Sequence, residues 1–547
     1  TAVAMVAFEQ YLEEVGSFGK YQIIALLFAS FSQIPSGFHN VNFVYIGAAQ
    51  DHYCAPPTQL GAFNLTEAQI KALTIPIEVK DGNERYSECE QYVMNYSAIT
   101  SDDIQGLTEW LAGNGTRTES PLNASKVESC ETWVYDTSVY ETTVVSEWNL
   151  ICEKQALRAT TQSIFMVGRF IGSYLCGYLA DRFGRKAVAC WCLIINIVFG
   201  IGSSFSPNYT VYTTLRFVIA ASYSGIITAG FIWRNSESPR WLFSKGRYKE
   251  AAAILKTIAR VNGKKLPKDV VEALENIHSI ETKDNIKTHG MLNCADKSDD
   301  VTSKCTREHP EAVDTLDLIR TPNIRRVSII FAYNWLTVIL VYYGLSWNTG
   351  NIGGDPYINQ LISGSMDILG NCLMLVLFTK VGRRLPMCSM LITGGVALLM
   401  ACTLLGNESM TSIVITLAML GKLAIGSAVA MVWTYTPEAY PTYLRAAATG
   451  AGSSIARVGA IIAPYLLLLG DVTNKSVPLV IFGVLSLVAG LSNLWLPETR
   501  GKVLPETILE AEHFLEGQEV FTCRQKDQET TKQEREDISK CIDDSNT

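Results

Sequence analysis

Several side chains stand out because their chemistry does not suit their surroundings. Asp367 lies in an apolar run at 358–379, about ten residues from either end, and Arg457 lies in another at 447–470. Charge is expensive in hydrocarbon, so a charged residue inside such a run marks a pathway or a ligand by default. Trp335, Tyr342 and Tyr343 share a run at 327–347, with Trp335 and Tyr342 seven residues apart and hence on one helical face. Aromatic faces attract ammonium groups by about 0.5–2 kcal/mol each, and a guanidinium clamps a carboxylate bidentately. Gln162, in a run at 159–180, is a polar candidate for lining a pore, two turns from Arg169. Each also has a plainer use. Asp367 would serve as an interhelical salt bridge, Arg457 as the partner of Glu438 or another acid, and the aromatics as packing or interface anchors. An acid, an arginine and aromatics together suit the non-covalent recognition of a small organic ion. Bond-making chemistry has no counterpart: no Walker loop, HExxH, GxSxG or CxxC is present, and no metal site or cofactor is indicated.

The elements that must position these groups are long and greasy. Crossing about 30 Å of hydrocarbon takes roughly 20 residues, and ten runs qualify: 21–48, 159–180, 187–205, 211–233, 327–347, 358–379, 386–406, 411–435, 447–470 and 477–496. Their Gly and small-residue content would break soluble helices but suits packed membrane helices. The chain is therefore an all-α polytopic membrane protein. The first run follows Glu13, Glu14 and Lys20 without a small-residue cleavage signature, so it reads as a retained helix. Of 547 residues, 48% are hydrophobic and 18% charged, and the formal net charge is −8. That negative total has one source. Between Asp51 and Lys154 stand 17 acidic and 6 basic residues, and the remainder of the chain is slightly positive. Nucleic acid is excluded as a partner driven by bulk basicity.

Three observations orient the chain with both termini cytoplasmic. The sequons at Asn64, Asn95, Asn114, Asn123, Asn208, Asn407 and Asn474 then all fall outside. Arg182, Arg185 and Lys186 in one short loop, and Lys380, Arg383 and Arg384 in another, fall inside. Cys54, Cys89, Cys130 and Cys152 fall on the oxidising side, where four cysteines suggest two disulfides with three possible connectivities. Cys176, Cys190, Cys192, Cys372, Cys388 and Cys402 are intramembrane and read as small packing residues.

The expected organisation is a cytoplasmic N-terminus (1–20), a first transmembrane helix (21–48) and a glycosylated, disulfide-bearing extracellular loop (49–158). The rest of an N-terminal half-bundle (159–233), a cytoplasmic central loop (234–326), a C-terminal half-bundle (327–496) and a cytoplasmic tail (497–547) follow. The central loop opens with an amphipathic stretch, Tyr248–Val261, and is polar from about 280 to 310.

The two halves repeat. Gly177-Tyr-Leu-Ala-Asp181-Arg182-Phe-Gly184-Arg185-Lys186 follows the second run, and Phe378-Thr379-Lys380-Val-Gly382-Arg383-Arg384 follows the sixth. Glu237-Ser-Pro-Arg240 and Pro497-Glu498-Thr-Arg500 close the respective halves. A tight Gly turn between basic residues, able to pair with acids or helix C-termini, is a plausible gate element, and two in matching places form a strong signal. These phrases, with Glu237-Ser-Pro-Arg-Trp-Leu242, Tyr435-Thr-Pro-Glu438-Ala-Tyr-Pro441, Arg445, Tyr342-Tyr-Gly-Leu-Ser-Trp-Asn-Thr-Gly350 and Ser453-Ser-Ile-Ala-Arg457-Val-Gly459, resemble the major facilitator superfamily. Within it, the likeness is to the organic cation/carnitine/organic anion transporter family, of invertebrate organic cation type, and runs from about Phe8 to about Glu510.

The resemblance implies two half-bundles working by alternating access, with the substrate near the midplane between them. It implies an acid at Asp367, and an arginine at Arg457 where cation carriers have Asp and carnitine-type or anion carriers have Arg. Lys422 and Arg216, in corresponding helices, read as snorkelling or gating side chains. His39 and Asn42 read as polar members of the bundle. The chain departs from the pattern twice. Thr379 stands where the repeat would have Asp, and Asp181 to Glu237 spans 56 residues against 119 from Thr379 to Glu498. The first half is thus about two helices short, with the join near Ile232–Asn235, so ten spans replace twelve. By resemblance the absent pair is the fifth and sixth, the fifth lining the cavity.

The expected function is secondary transport of organic cations or carnitine-like zwitterions across the plasma membrane, with a coupling ion and the oligomeric state left open. The first alternative is an organic anion exchanger of the same fold. The second is a non-transporting shortened isoform or gene-prediction artefact. No enzyme activity is expected.

Overall fold

The computed structural model describes residues 19–21, 23, 24, 27, 37–39, 41–62, 65–80, 83–96, 126–229, 248–264, 317–350, 353–406, 408–441, 444–501 and 511–512. Its long helices are α1 (Gln155–Phe183), α2 (Arg185–Ser203), α3 (Tyr209–Ala229), α4 (Tyr248–Asn262), α5 (Pro322–Trp347), α6 (Pro356–Lys380), α7 (Arg384–Leu404), α8 (Thr411–Glu438), α9 (Arg445–Val472) and α10 (Ser476–Ser492). Eight of them, all but α3 and α4, are long and apolar enough to cross a bilayer. Of the two other predicted spans, 211–233 appears as α3, a helix made less apolar by Arg216 and its hydroxyl residues, and 21–48 is described only in part. The amphipathic stretch forms α4, and Asn262 at its end accepts from the backbone N–H of Tyr21 at 2.9 Å.

Local chemistry sets the helix ends. Pro322 and Pro356 occupy first-turn positions, where a missing N–H costs nothing. Asp355 caps α6 by accepting from Tyr357 N at 2.8 Å and Ile358 N at 3.3 Å. The repeated Gly turns are left-handed in both halves: Gly184 between α1 and α2 has φ 97°, and Gly382 between α6 and α7 has φ 134°.

The segment between the first span and α1 is built from three two-stranded antiparallel ladders. Strands β1 (His52–Cys54) and β6 (Trp133–Tyr135) pair, as do β2 (Ile77–Lys80) with β3 (Asn83–Tyr86), and β4 (Glu90–Tyr92) with β5 (Val127–Ser129). The four cysteines join as Cys54–Cys130 and Cys89–Cys152, which selects one of the three connectivities. Burial pushes the Tyr135 phenol up to about 12, and its hydroxyl donates to Asn149 Oδ1 at 2.9 Å. Asn95 lies in this segment, whereas Asn64, Asn114 and Asn123 lie outside the described residues.

The C-terminal half, α5–α10, encloses one large core running from Ile324 through Trp335, Val341 and Ile425 to Tyr435 and Phe482. The N-terminal half has smaller clusters. One, around Cys176, Val188 and Ile226, is its own. The other, around Phe165, Met166 and Ile219, is shared with Ala460 and Tyr343 of the C-terminal half. Close backbone approach holds α1 to α3: a Cβ on Gly172 would lie 2.4 Å from the Ala221 carbonyl oxygen. Across the halves α1 runs along α9, where Ser163 Oγ donates to the Ile461 carbonyl at 2.8 Å and Tyr174 bonds Ser454 through their hydroxyls.

Candidate functional site

Asp367 occupies the middle of α6, the position its sequence placing demands, and two other helices supply its neighbours. Tyr342 on α5 donates its hydroxyl to Asp367 Oδ2 at 2.9 Å. Lys422 on α8 places Nζ 3.4 Å from Oδ1, an ion pair without hydrogen-bond geometry, since Oδ1 itself receives no hydrogen bond. The same ammonium lies 3.4 Å from the centre of the Tyr342 ring and donates to Ser346 Oγ. Gly426 on α8 makes room for this: a Cβ there would lie 2.9 Å from Asp367 Oδ1. An acid and an aromatic face thus hold the lysine's ammonium in one cluster.

This corrects the snorkelling expectation for Lys422. The residue is 2% exposed, because a counter-charge, a ring face and a hydroxyl inside the bundle offer it more than the distant interface does. Arg216 does not snorkel either. It is 4% exposed, stacked 4.7 Å from the Phe165 ring centre and 5.0 Å from that of Phe43.

Tyr343 turns the other way along α5, toward the N-terminal half. Its hydroxyl accepts from Arg169 Nη1 of α1 at 2.8 Å, and its ring stacks on Trp347 at 4.9 Å. Arg169 also lies 4.7 Å over the Tyr223 ring of α3. Arg457 of α9 donates Nη1 to its own-helix Ser453 carbonyl at 3.3 Å and feels the charge of Arg169 across the seam between the halves. Of these two guanidinium groups, one from each half, Arg169 bonds Tyr343 and Arg457 bonds its own helix. Gln162 on α1 is set apart from them: its Oε1 accepts from Arg216 Nη2 at 3.3 Å.

Trp335 does not join this group. It is 0% exposed, donates Nε1 to Thr436 Oγ1 at 3.0 Å and meets Trp433 edge-on at 4.7 Å. A Cβ on Gly452 of α9 would come within 2.4 Å of its Nε1, so α8 and α9 close around it as packing.

The C-terminal gate phrase forms a connected network. Arg383 pairs with Glu438 at 2.8 Å, and that hydrogen bond raises the guanidinium's pKa above its ordinary value. Glu498 accepts from the backbone N–H groups of Arg383 at 2.9 Å and Arg384 at 3.1 Å, which requires the bare Gly382 beside it. Arg500 donates to the Lys380 carbonyl. Arg445 instead donates to the Tyr440 carbonyl at 3.1 Å. Because Glu438 is taken by Arg383, it does not serve Arg457. In the N-terminal half Asp181, Arg182 and Lys186 are exposed, and a Cβ on Gly177 would meet nothing within 4 Å. Glu237, Arg240 and the Arg185 side chain lie outside the described residues.

Residue typing alone overlooked one feature at the end nearer the strand segment. Arg158 at the start of α1 reaches Asp471 at the end of α9, 3.6 Å away, and donates Nε to the Gly47 carbonyl at 2.7 Å. Beside it Tyr45 stacks on Tyr357 at 5.2 Å. Both charges border predicted spans, and that border position was the available signal.

The sequence profile of the family described as "Sugar (and other) transporter" matches residues 120–229 and 221–508. The organic cation transporter protein of Drosophila melanogaster is 31% identical over 566 aligned residues, covering 93% of this chain and 95% of that one. The chain belongs to the organic cation/carnitine transporter family of the major facilitator superfamily. Solute carrier family 22 member 6-B of Xenopus laevis is 29% identical, with coverage of 93% and 95%. Organic cation/carnitine transporter 2 of Homo sapiens is 28% identical, with coverage of 90% and 92%. A partially occluded, inward-open xylose transporter of E. coli covers 64% of this chain and 90% of its own at 14% identity and a TM-score of 0.47. As a member of this transporter family the chain is a multi-pass membrane transporter, and not an enzyme. The alignment to the fly protein is longer than the 547-residue chain, and the family profile matches in two pieces that meet at 221–229.

Proposed function

We propose that this chain carries organic cations or carnitine-like zwitterions across the plasma membrane by alternating access of its two half-bundles, with both termini cytoplasmic. One observation supports this most: the Asp367–Tyr342–Lys422 cluster, where a carboxylate and a ring face hold an ammonium group inside the bundle. A substrate ammonium would take the place of the lysine's. Tyr342, Tyr343 and Asp367 are the residues assigned to the cationic end, Arg457 with Arg169 to a carboxylate end, and Gln162 to the wall. The Gly382–Glu438–Glu498 network would hold one face of the C-terminal half rigid during the motion. Arg158–Asp471 and the Tyr45–Tyr357 stack would close the passage on the strand-segment side.

Anion exchange is the second reading, and a specific count favours it. Within the ten apolar runs stand four basic residues, Arg169, Arg216, Lys422 and Arg457, and one acidic residue, Asp367. Uptake of labelled carnitine, tetraethylammonium and a dicarboxylate by cells expressing the chain ranks the readings. Cation or carnitine uptake that is lost in Asp367→Asn is the expected result. Dicarboxylate uptake indifferent to Asp367 would favour the anion reading. No uptake above mock cells, despite glycosylated protein at the surface, would sink both and leave the non-transporting form.

A further inference from the structure

The N-terminal half buries a cation whose described neighbours are all neutral. Arg216 Nη1 donates to Asn42 Oδ1 at 3.3 Å and Tyr212 Oη at 3.4 Å, and Nη2 to Gln162 Oε1 at 3.3 Å. Phe43, Phe165 and Tyr212 present their rings to it at 5.0, 4.7 and 5.8 Å. Its corresponding residue in the C-terminal half, Lys422, has Asp367; Arg216 has no carboxylate among the described residues. Two donors are also left over. Arg216 Nε and Gln162 Nε2 are buried and bond to nothing among the described residues, although both residues are more than nine-tenths enclosed. Gln162 and Phe43 line a cavity of about 50 Å³ whose walls include Trp347, Pro464 and Leu467. The charged residues on that cavity, Arg158 and Asp471, already pair with each other at 3.6 Å.

We propose that Arg216 and Gln162 form an anion-binding subsite, separate from the Asp367 cluster, for a single monovalent group: a free halide or the carboxylate of a bound substrate. The argument rests on charge and size. A buried water would satisfy two spare donors but would leave the guanidinium unbalanced in a low-dielectric bundle. An anion does both, and a guanidinium together with an amide N–H₂ is a donor set suited to one. The cavity beside Gln162, which Arg216 does not itself line, has room for a halide or a carboxylate group.

The test reads binding, so it stands whether or not the chain transports anything; only the substrate arm rests on the proposed function. The purified full-length chain is melted in sodium chloride and in sodium gluconate at equal ionic strength, with and without carnitine or choline. A saturable rise in melting temperature with chloride alone identifies a free anion. A rise with carnitine, but with neither choline nor chloride, identifies a substrate carboxylate. In either case Gln162→Glu, which places a carboxylate beside Arg216, is expected to abolish the anion-dependent rise and to raise the melting temperature in gluconate. Arg216→Gln should abolish the rise as well, and if that variant fails to fold, Gln162→Glu alone decides. Wild-type protein that melts alike in all conditions overturns the inference. So does an anion-dependent rise that Gln162→Glu leaves unchanged.

Discussion

The described parts of the two halves of this transporter carry the same repeat in different surroundings. Both turn between their second and third helices on a left-handed glycine, Gly184 and Gly382. Both place a basic residue in the fourth helix, Arg216 and Lys422, and both bury it. Beyond that they diverge. The C-terminal half has six helices around one core, a counter-charge for its lysine, and a gate phrase tied to Glu438 and Glu498. Among the described residues, the N-terminal half has fewer helices, smaller clusters, a cation among neutral partners, and a gate phrase whose Arg182 is exposed. The difference teaches that the turn and the buried charge are local properties, kept by a few residues. The counter-charge comes from α6, the second helix of its half, whereas the clamped gate depends on Glu438 and Glu498, which arrive later in the chain.

The largest effect is expected for Asp367→Asn. It strands the Lys422 ammonium in the bundle and should cost about 3–5 kcal/mol, read as unfolding in increasing denaturing detergent, with Asp367→Asn/Lys422→Met recovering most of it. The matching change in the other half, Arg216→Met, should be neutral or stabilising in gluconate, because it removes a charge that no described carboxylate balances. A large loss there would erase the asymmetry. Next come the glycines. Gly452→Ala pushes a methyl to within 2.4 Å of Trp335 Nε1 and should cost about 1–3 kcal/mol, whereas Gly177→Ala enters open space and should stabilise by about 0.5–1 kcal/mol. Arg383→Ala removes a hydrogen-bonded ion pair to Glu438 and should cost about 1.5–3 kcal/mol. The smallest effect is expected for Arg182→Ala, within about 0.5 kcal/mol. Equal losses at Arg182 and Arg383 would show that both gate phrases bear the same strain.

Much of this could be read in the residues, for identifiable reasons. The turns were legible because Gly between basic residues at a span's end has few other uses. Asp367 was legible because a lone acid in an apolar run must be held by something. The misreadings came from depth and neighbours. Trp335 and Tyr342 do share a face, and both meet α8, at Thr436 and Lys422. Yet seven residues are about 10 Å of helix, enough to carry one into the packing beside Gly452 and the other to the acid on α6. Of the two readings of Lys422, snorkelling or gating, snorkelling fails because periodicity gives a face but not the partner that another helix brings to it. The Arg158–Asp471 contact joins residues more than 300 positions apart, a pairing that spacing within one element does not encode.

The pairing of α1 with α9 has one more consequence. It joins the second helix of one half to the fifth of the other, so the repeat calls for a mate in which the fifth of the first half lies along α6. Among the described residues no first-half helix packs extensively along α6, which has only 17% of its apolar window buried, with Leu361, Ile368, Leu369 and Leu375 facing outward. A rocker needs two bearings, one on each side of its axis, whereas a door needs a single hinge. With α1–α9 as the one extensive seam among the described helices, the described parts of the two halves are hung like a door, and the outward face of α6 is left uncovered by any described helix.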